Sequence, residues 1–247
     1  MKDIVVGLGE IGKPIFRLIS KSVKTVGHDK NPKLIPKINQ KYVELPTRFL
    51  HICIPFNKSF NSNIEKLTKK FSPKSIIIHS TIPPKTTSSI QSKLCIPIIY
   101  SPTRGVHKRM LYDLKRYTKF FAIEKNIPNA RWASSQFSLL MRNAGVKTKR
   151  MSDPLTLELA KIVCDTSYYG WLINYAQISQ AIASKHKVDY DEMWSFANEI
   201  HKFLGNRPKM FPGFIGGHCV IPNLELIKDD SLNQINKINE YFKKFKK

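Results

Sequence analysis

Residues 2–12, Lys-Asp-Ile-Val-Val-Gly-Leu-Gly-Glu-Ile-Gly, decide the fold. Ile4, Val5 and Val6 form a β-branched apolar run, the composition of a strand covered on both faces. Gly7, Gly9 and Gly12 follow in the spacing G-x-G-x-x-G. The first glycine allows a tight turn and the second lets a pyrophosphate approach the backbone. The third lets the next helix pack close to the strand. Glu10 and Ile11 complete this turn. Pro14 sits in the first helical turn, where a missing N–H costs little. Ile15, Leu18 and Ile19 give the helix an apolar stripe.

A second strand over 23–29 ends in Asp29, 22 residues after Gly7. A carboxylate at that place holds the ribose hydroxyls of NAD and repels the extra phosphate of NADP. NAD is therefore the expected cofactor.

Strand and helix patterns alternate beyond this point. The sequence predicts a short strand over 42–45, a buried strand from 49 that stops at Pro55, and a helix over 61–71. A buried strand over 75–81, a helix over 83–94 and a strand over 96–100 come next. A strand over 117–124, a helix over 129–143 and a last strand over 146–151 follow. This alternation predicts a doubly wound parallel sheet of the Rossmann type. Pro55, Ser80 and Thr81, at strand ends, join the residues expected to line the cofactor. For Thr81 the alternative is a helix cap or turn residue.

The pattern changes after Ser152. Asp153-Pro154 has the form of a helix start, and one long apolar helix is expected to about Lys185. A helix over 189–204, a glycine-rich loop and a basic amphipathic helix over 231–247 complete the chain. Two domains are expected: an NAD-binding domain at 1–151 and a small all-helical domain at 152–247.

The chain has 247 residues, 42% of them hydrophobic, enough for a sizeable core. Cys53, Cys95, Cys164 and Cys219 lie far apart with no C-x-x-C pair, which excludes a disulfide framework or zinc site and suits a reducing cytoplasm. Met1-Lys-Asp leads directly into the first strand, so no signal peptide is expected. The uncharged run 166–184 is interrupted by Ser167, Asn174, Gln177, Ser179 and Gln180, so it reads as a buried helix and not a membrane span. The net charge of +23 favours anionic ligands. The lysines are scattered and no nucleic-acid motif accompanies them, so a dedicated nucleic-acid partner is not expected.

Four further stretches carry a resemblance. They are Ser-Thr-Ile-Pro-Pro-Lys-Thr-Thr at 80–87, Tyr-Ser-Pro-Thr-Arg at 100–104, Glu-Leu-Ala-Lys at 158–161, and Phe-Pro-Gly-Phe-Ile-Gly-Gly-His-Cys-Val-Ile-Pro at 211–222. In this order behind the glycine turn, the chain resembles the UDP-glucose/GDP-mannose dehydrogenase family. The resemblance spans nearly the whole chain, and Gly-Gly-His-Cys is its most specific part. It implies an NAD-dependent, two-step oxidation of a nucleotide-sugar alcohol to a carboxylate. Cys219 matches the family's catalytic cysteine, which would add to an intermediate aldehyde so that a second hydride leaves a thioester. Lys161 matches the lysine that supports proton transfer and the developing oxyanion. Thr81 matches a threonine near the nicotinamide. Gly216, Gly217, His218 and Asn223 surround the cysteine and are expected to contact substrate.

Each of these residues also has a plainer reading. Cys219 has the properties of a small core residue. Lys161 and Asp165, four apart, form an intrahelical pair on one helical face.

The chain departs from the family at its acids. Thr103 stands where the family carries Glu, Asp165 where it carries Asn, and Asn223 where it carries Asp. The set used for thioester hydrolysis is thereby largely replaced. Arg104 and His107 supply an alternative polar cluster for an anionic substrate group, or a solvated turn. Family members carry a third, C-terminal domain, whereas about 25 residues follow the cysteine loop here. The family's central helices build a dimer, and the long apolar helix fits that role. Two readings stay open: a dehydrogenase of a sugar nucleotide or other anionic hydroxylated compound, and a catalytically degenerate NAD-binding protein acting as sensor, scaffold or partner subunit.

Overall fold

The computed structural model describes residues 1–36, 41–206, 208–217 and 219–245. The chain divides into two compact units, Met1–Leu159 and Ala160–Lys247. The division falls eight residues beyond the boundary expected from sequence, since Pro154–Leu159 buries Leu157 and Glu158 within the first unit.

The first unit is a seven-stranded sheet in the order β2-β1-β3-β4-β5-β6-β7. Its strands are β1 (Lys2–Val6), β2 (Thr25–His28), β3 (Thr47–Ile52), β4 (Ser75–Ile78), β5 (Ile98–Tyr100), β6 (Lys119–Ile123) and β7 (Thr148–Arg150). Residues 42–45, expected as a strand, form a turn instead, closed by the Leu45 N–H donating to the Tyr42 carbonyl at 3.1 Å. The first five strands are parallel.

The central strands feed two cores by simple alternation. Val5, Phe49, Ile77 and Ile99 point to one, with α1 (Gly12–Ile19), α4 (Met110–Arg116) and α5 (Ala130–Asn143). Ile4, Val6, Leu50, Ile76, Ile78 and Tyr100 point to the other, with α2 (Phe60–Phe71), α3 (Thr86–Gln91) and α6 (Pro154–Leu159). Each of these large apolar side chains stabilises the unit by about 1.5–3 kcal/mol.

β6 runs antiparallel to β5, against the expectation of an all-parallel sheet, and β7 runs parallel to β6. A parallel partner needs a crossover that returns the chain to the other end of the sheet. Here the connection is held at the end where β5 stops. Ser101 Oγ donates to the Phe120 carbonyl at 2.8 Å, Arg104 to the Thr118 carbonyl at 2.7 Å, and Lys119 Nζ to the Ser101 carbonyl at 2.9 Å.

A buried polar chain ties these strand ends together. Arg48 makes a two-pronged contact with the Asp3 carboxylate, at 2.9 and 2.6 Å. Burial alone would raise the Asp3 carboxyl, but the His51 ring 3.7 Å away and the hydrogen bonds from Arg48 hold it below its usual range. His51 Nδ1 lies 3.0 Å from His79 Nε2, and His79 Nδ1 lies 3.1 Å from the Ser101 carbonyl. Burial, then the charges of Lys119 and His51, push His79 well below the ordinary imidazole range. A neutral His79 facing a carbonyl must donate from Nδ1, so its Nε2 accepts from His51. This chain fixes the residues that lead into Ser80-Thr81 and Pro102-Thr103.

The second unit is helical. A π-helix, Ala160–Ser167, is followed by α7 (Tyr168–His186), α8 (Tyr190–Leu204), α9 (Val220–Leu224) and α10 (Asp230–Phe245). The long helix expected from sequence is therefore three segments. Side chains reinforce the wider π turn: Thr166 Oγ1 donates to the Lys161 carbonyl at 3.1 Å, and Ser167 Oγ to that of Ile162 at 2.8 Å. Asp189 caps α8 by accepting from the Glu192 N–H at 2.7 Å, and Gly205 ends it in the left-handed conformation. Ile215, Val220, Leu224 and Ile235 form the small core.

Candidate functional site

In the first unit the strand order reverses between β1 and β3, the place where open α/β sheets bind ligands. Gly7 leaves β1 at φ +83°, a conformation that favours glycine. A Cβ at Gly12 would lie 1.6 Å from the Gly7 carbonyl oxygen, so the turn closes only with glycine there. A Cβ at Gly9 would meet nothing within 4 Å. Its backbone is exposed, with open space beside it. Asp29 braces this turn: its carboxylate accepts from the Leu8 N–H at 2.6 Å and from the Asn31 N–H at 2.8 Å. Its remaining lone pairs are available to ribose hydroxyls. These residues fit a dinucleotide.

Glu10 is exposed, and its Oε2 lies 2.7 Å from His107 Nδ1. Ile11 is half-buried and packs against the first core. Pro55 is exposed beyond β3, and Ser80 Oγ donates to the Ile54 carbonyl at 2.6 Å, joining the ends of β3 and β4. Thr81 is half-buried. It does not cap α3. Buried Glu158 does so from α6, accepting from the N–H groups of Lys85 at 2.6 Å and Thr87 at 2.9 Å and from Thr87 Oγ1 at 2.6 Å. Burial raises the Glu158 carboxyl despite those bonds.

Thr103 is buried, and its Oγ1 has no hydrogen-bond partner among the described residues. Arg104, besides its bond to Thr118, lies over the rings of Tyr117 and Phe120 at 5.9 and 5.0 Å, so its guanidinium is already engaged. The Cys53 thiol is pushed up to about 12 by burial, which makes it inert.

In the second unit Lys161 Nζ donates to Asp165 Oδ2 at 2.5 Å, with the lysine side chain 11% exposed and the aspartate 43%. The pair sits on the π-helix, a rare geometry common at functional sites. α9 packs against this π-helix, so the cysteine loop is brought to the segment that carries Lys161 and Asp165. Cys219 immediately precedes α9 and is exposed, as are Gly216 and Gly217, while Asn223 is half-buried on α9. Cys95 and Cys164 are also exposed, so exposure alone does not single out Cys219. His218 lies outside the described residues.

Two buried amides that sequence reading did not assign hold the approach to this loop. Asn239 on α10 accepts from the Ile215 N–H at 2.7 Å and donates to its carbonyl at 3.0 Å. Gln177 on α7 donates to the Gly213 carbonyl at 2.7 Å and to Asn239 Oδ1 at 3.1 Å. The available signal was Asn174 and Gln177 within an uncharged helix and Asn239 between the apolar Ile235 and Phe242.

No protein-family model matches the sequence, and no curated protein matches it significantly. Solved structures do. UDP-D-ManNAc dehydrogenase from Pyrococcus horikoshii matches with a TM-score of 0.81 at 20% identity, over 99% of this chain and 69% of its own. UDP-N-acetyl-mannosamine dehydrogenase from Staphylococcus aureus matches with a TM-score of 0.71 at 21% identity, over 99% and 69%. 3-Hydroxyisobutyrate dehydrogenase from Mycobacterium tuberculosis matches with a TM-score of 0.66 at 14% identity, over 99% and 93%. Over nearly its whole length the chain therefore carries the fold of the nucleotide-sugar dehydrogenases.

Proposed function

We propose that this chain is an NAD-dependent oxidoreductase that oxidises a CH–OH group of a sugar nucleotide or other anionic hydroxylated substrate. The observation that carries this reading is the glycine turn, open at Gly9 and braced by Asp29. Gly7, Gly9, Glu10, Ile11, Gly12, Asp29, Pro55, Ser80 and Thr81 are the residues proposed to hold NAD, Glu10 through its backbone alone, and NAD would supply hydride acceptance. The dehydrogenase structures that share the fold support the reaction class.

In this reading Lys161, positioned by its hydrogen bond to Asp165, stabilises the oxyanion that develops on the substrate oxygen. The Cys219 thiolate then adds to the aldehyde carbonyl carbon, its sulfur forming the new bond while the carbonyl oxygen takes a proton. Loss from that thiohemiacetal carbon of a hydride, which a bound NAD would accept, together with loss of the hydroxyl proton, would leave a thioester. Arg104, His107, Gly216, Gly217, His218 and Asn223 are proposed on the substrate side, with His107 revised below. Asp165 is a carboxylate this chain carries where the family has Asn, while Thr103 and Asn223 replace acids. Those replacements favour a second reading, an NAD-binding protein that no longer turns over.

Calorimetric titration tests the cofactor: NAD is expected to bind more tightly than NADP. Equal affinity for both, or none for either, would sink it.

We also infer a homodimer. Tyr168, Tyr175, Ile182, Phe196 and Phe203 on α7 and α8 are all more than half exposed, a large apolar surface for a charged chain. Light scattering is expected to give twice 28.5 kDa, and a monomer at micromolar concentration refutes it. No described helix is long and apolar enough to cross a membrane. Cys95, Cys164 and Cys219 are exposed thiols outside any disulfide, which suits a reducing compartment, and we place the protein in the cytoplasm.

A further inference from the structure

His107 reaches the glycine turn from far along the chain. Its Nδ1 lies 2.7 Å from Glu10 Oε2. Glu10 stands between Gly9 and Ile11, at the start of α1, and His107 opens the short 3-10 turn His107–Arg109 that leads into α4. α4 packs against α1, so the contact spans two elements already held side by side. The segment that presents His107 is anchored. The Val106 N–H donates to Asp113 Oδ2 at 2.8 Å, and Arg109 Nε donates to the same oxygen at 3.1 Å. Gly105 precedes it at φ +139°, a backbone turn that favours glycine. Arg104 is engaged with Thr118 and Arg109 with Asp113. His107 is the member of this basic stretch that is turned to Glu10.

A carboxylate at position 10 works against a pyrophosphate site. The ligand brings two negative charges to the backbone N–H groups around Gly9 and Ile11, and an unrestrained Glu10 beside them repels it. We propose that His107 is a positioning residue for dinucleotide binding: it draws the Glu10 carboxylate aside, so that the glycine turn accepts a pyrophosphate. This rests on the NAD reading above and moves His107 from the substrate to the cofactor turn. Glu10 then acts as a local filter, tolerating a dinucleotide only while the histidine holds it.

The test is a double-mutant cycle on the full chain, read by calorimetric titration with NAD at low ionic strength. His107→Ala is expected to weaken NAD binding about fivefold, the scale of one partly screened charge contact. Glu10→Gln is expected to bind NAD at least as tightly as the wild type. In the Glu10→Gln background, His107→Ala should cost less than about twofold, because no carboxylate is left to hold aside. High salt should shrink the single-variant effect. An equal cost in both backgrounds, or no cost in either, overturns the proposal, since a merely structural histidine would not be rescued by Gln at position 10. A wild type that binds no dinucleotide overturns the cofactor reading itself, and this inference with it. A wild type that binds NAD with uncoupled variants overturns this inference alone.

Discussion

Gly12→Ala is expected to lower the stability of the first unit by about 3 kcal/mol or more, because its methyl group has nowhere to go. The added carbon would sit 1.6 Å from the Gly7 carbonyl oxygen and 2.8 Å from the Gly7 carbonyl carbon. Both are backbone atoms that cannot rotate away. Relief requires moving α1 off β1, and with it Ile15, Leu18 and Ile19, which are buried in the first core. A thermal melt should show the transition lowered by about 6 °C or more. Gly9→Ala is the control that separates stability from binding. Its methyl group meets nothing within 4 Å, so the melt should be nearly unchanged. NAD binding should nonetheless be lost, because the methyl occupies the space of the pyrophosphate. A Gly12→Ala chain as stable as the wild type would show that the turn is not built as described. A Gly9→Ala chain that binds NAD normally would show that the turn does not hold a pyrophosphate.

Cys219→Ser is expected to reduce acid formation by about a thousandfold or more, since a hydroxyl does not replace a thiolate as nucleophile. The first hydride transfer does not need the sulfur, so aldehyde should accumulate where the wild type goes further. The measurement is NADH release and carboxylate formation over a panel of sugar nucleotides, sugar phosphates and simple hydroxy acids. Alkylation at neutral pH gives a second readout. Cys53, half-buried and pushed up to about 12, should react last. Cys219 should react ahead of the other exposed thiols, Cys95 and Cys164, and NAD or substrate should protect it. Turnover that survives both Cys219→Ser and Lys161→Ala would show that neither residue carries the chemistry. Tight NAD binding with no turnover on any substrate would favour the degenerate reading, which the replacements at Thr103 and Asn223 already encourage.

The glycine turn and the alternation around it were legible in residues 2–12 alone, because their constraints are local. A left-handed φ at Gly7 and a close approach at Gly12 both demand glycine, so backbone geometry is written directly into residue type. The two cores were legible for a similar reason: buried strands such as 75–78 are uniformly apolar after Ser75, and a period of two sends neighbours to opposite faces. Strand direction was not. β6 has the same composition whether it runs up or down. Its reversal is held by the Ser101 hydroxyl on the Phe120 carbonyl and by Lys119 on the Ser101 carbonyl, bonds that exist only once the chain is folded. The π turn at 160–167 was also hidden, since eight residues are too few to tell its wider period from that of an α-helix. Glu158 shows the same limit at a distance. It reads as one motif with Lys161, yet it caps α3 across 71 residues of sequence and belongs to a different unit from the lysine. Residue types thus declared where the backbone must bend and which faces must be buried. Which charged side chain meets which group, Asp29 with the Leu8 N–H or Glu10 with His107, depends on contacts between segments far apart in the chain, and only the tertiary structure decides those.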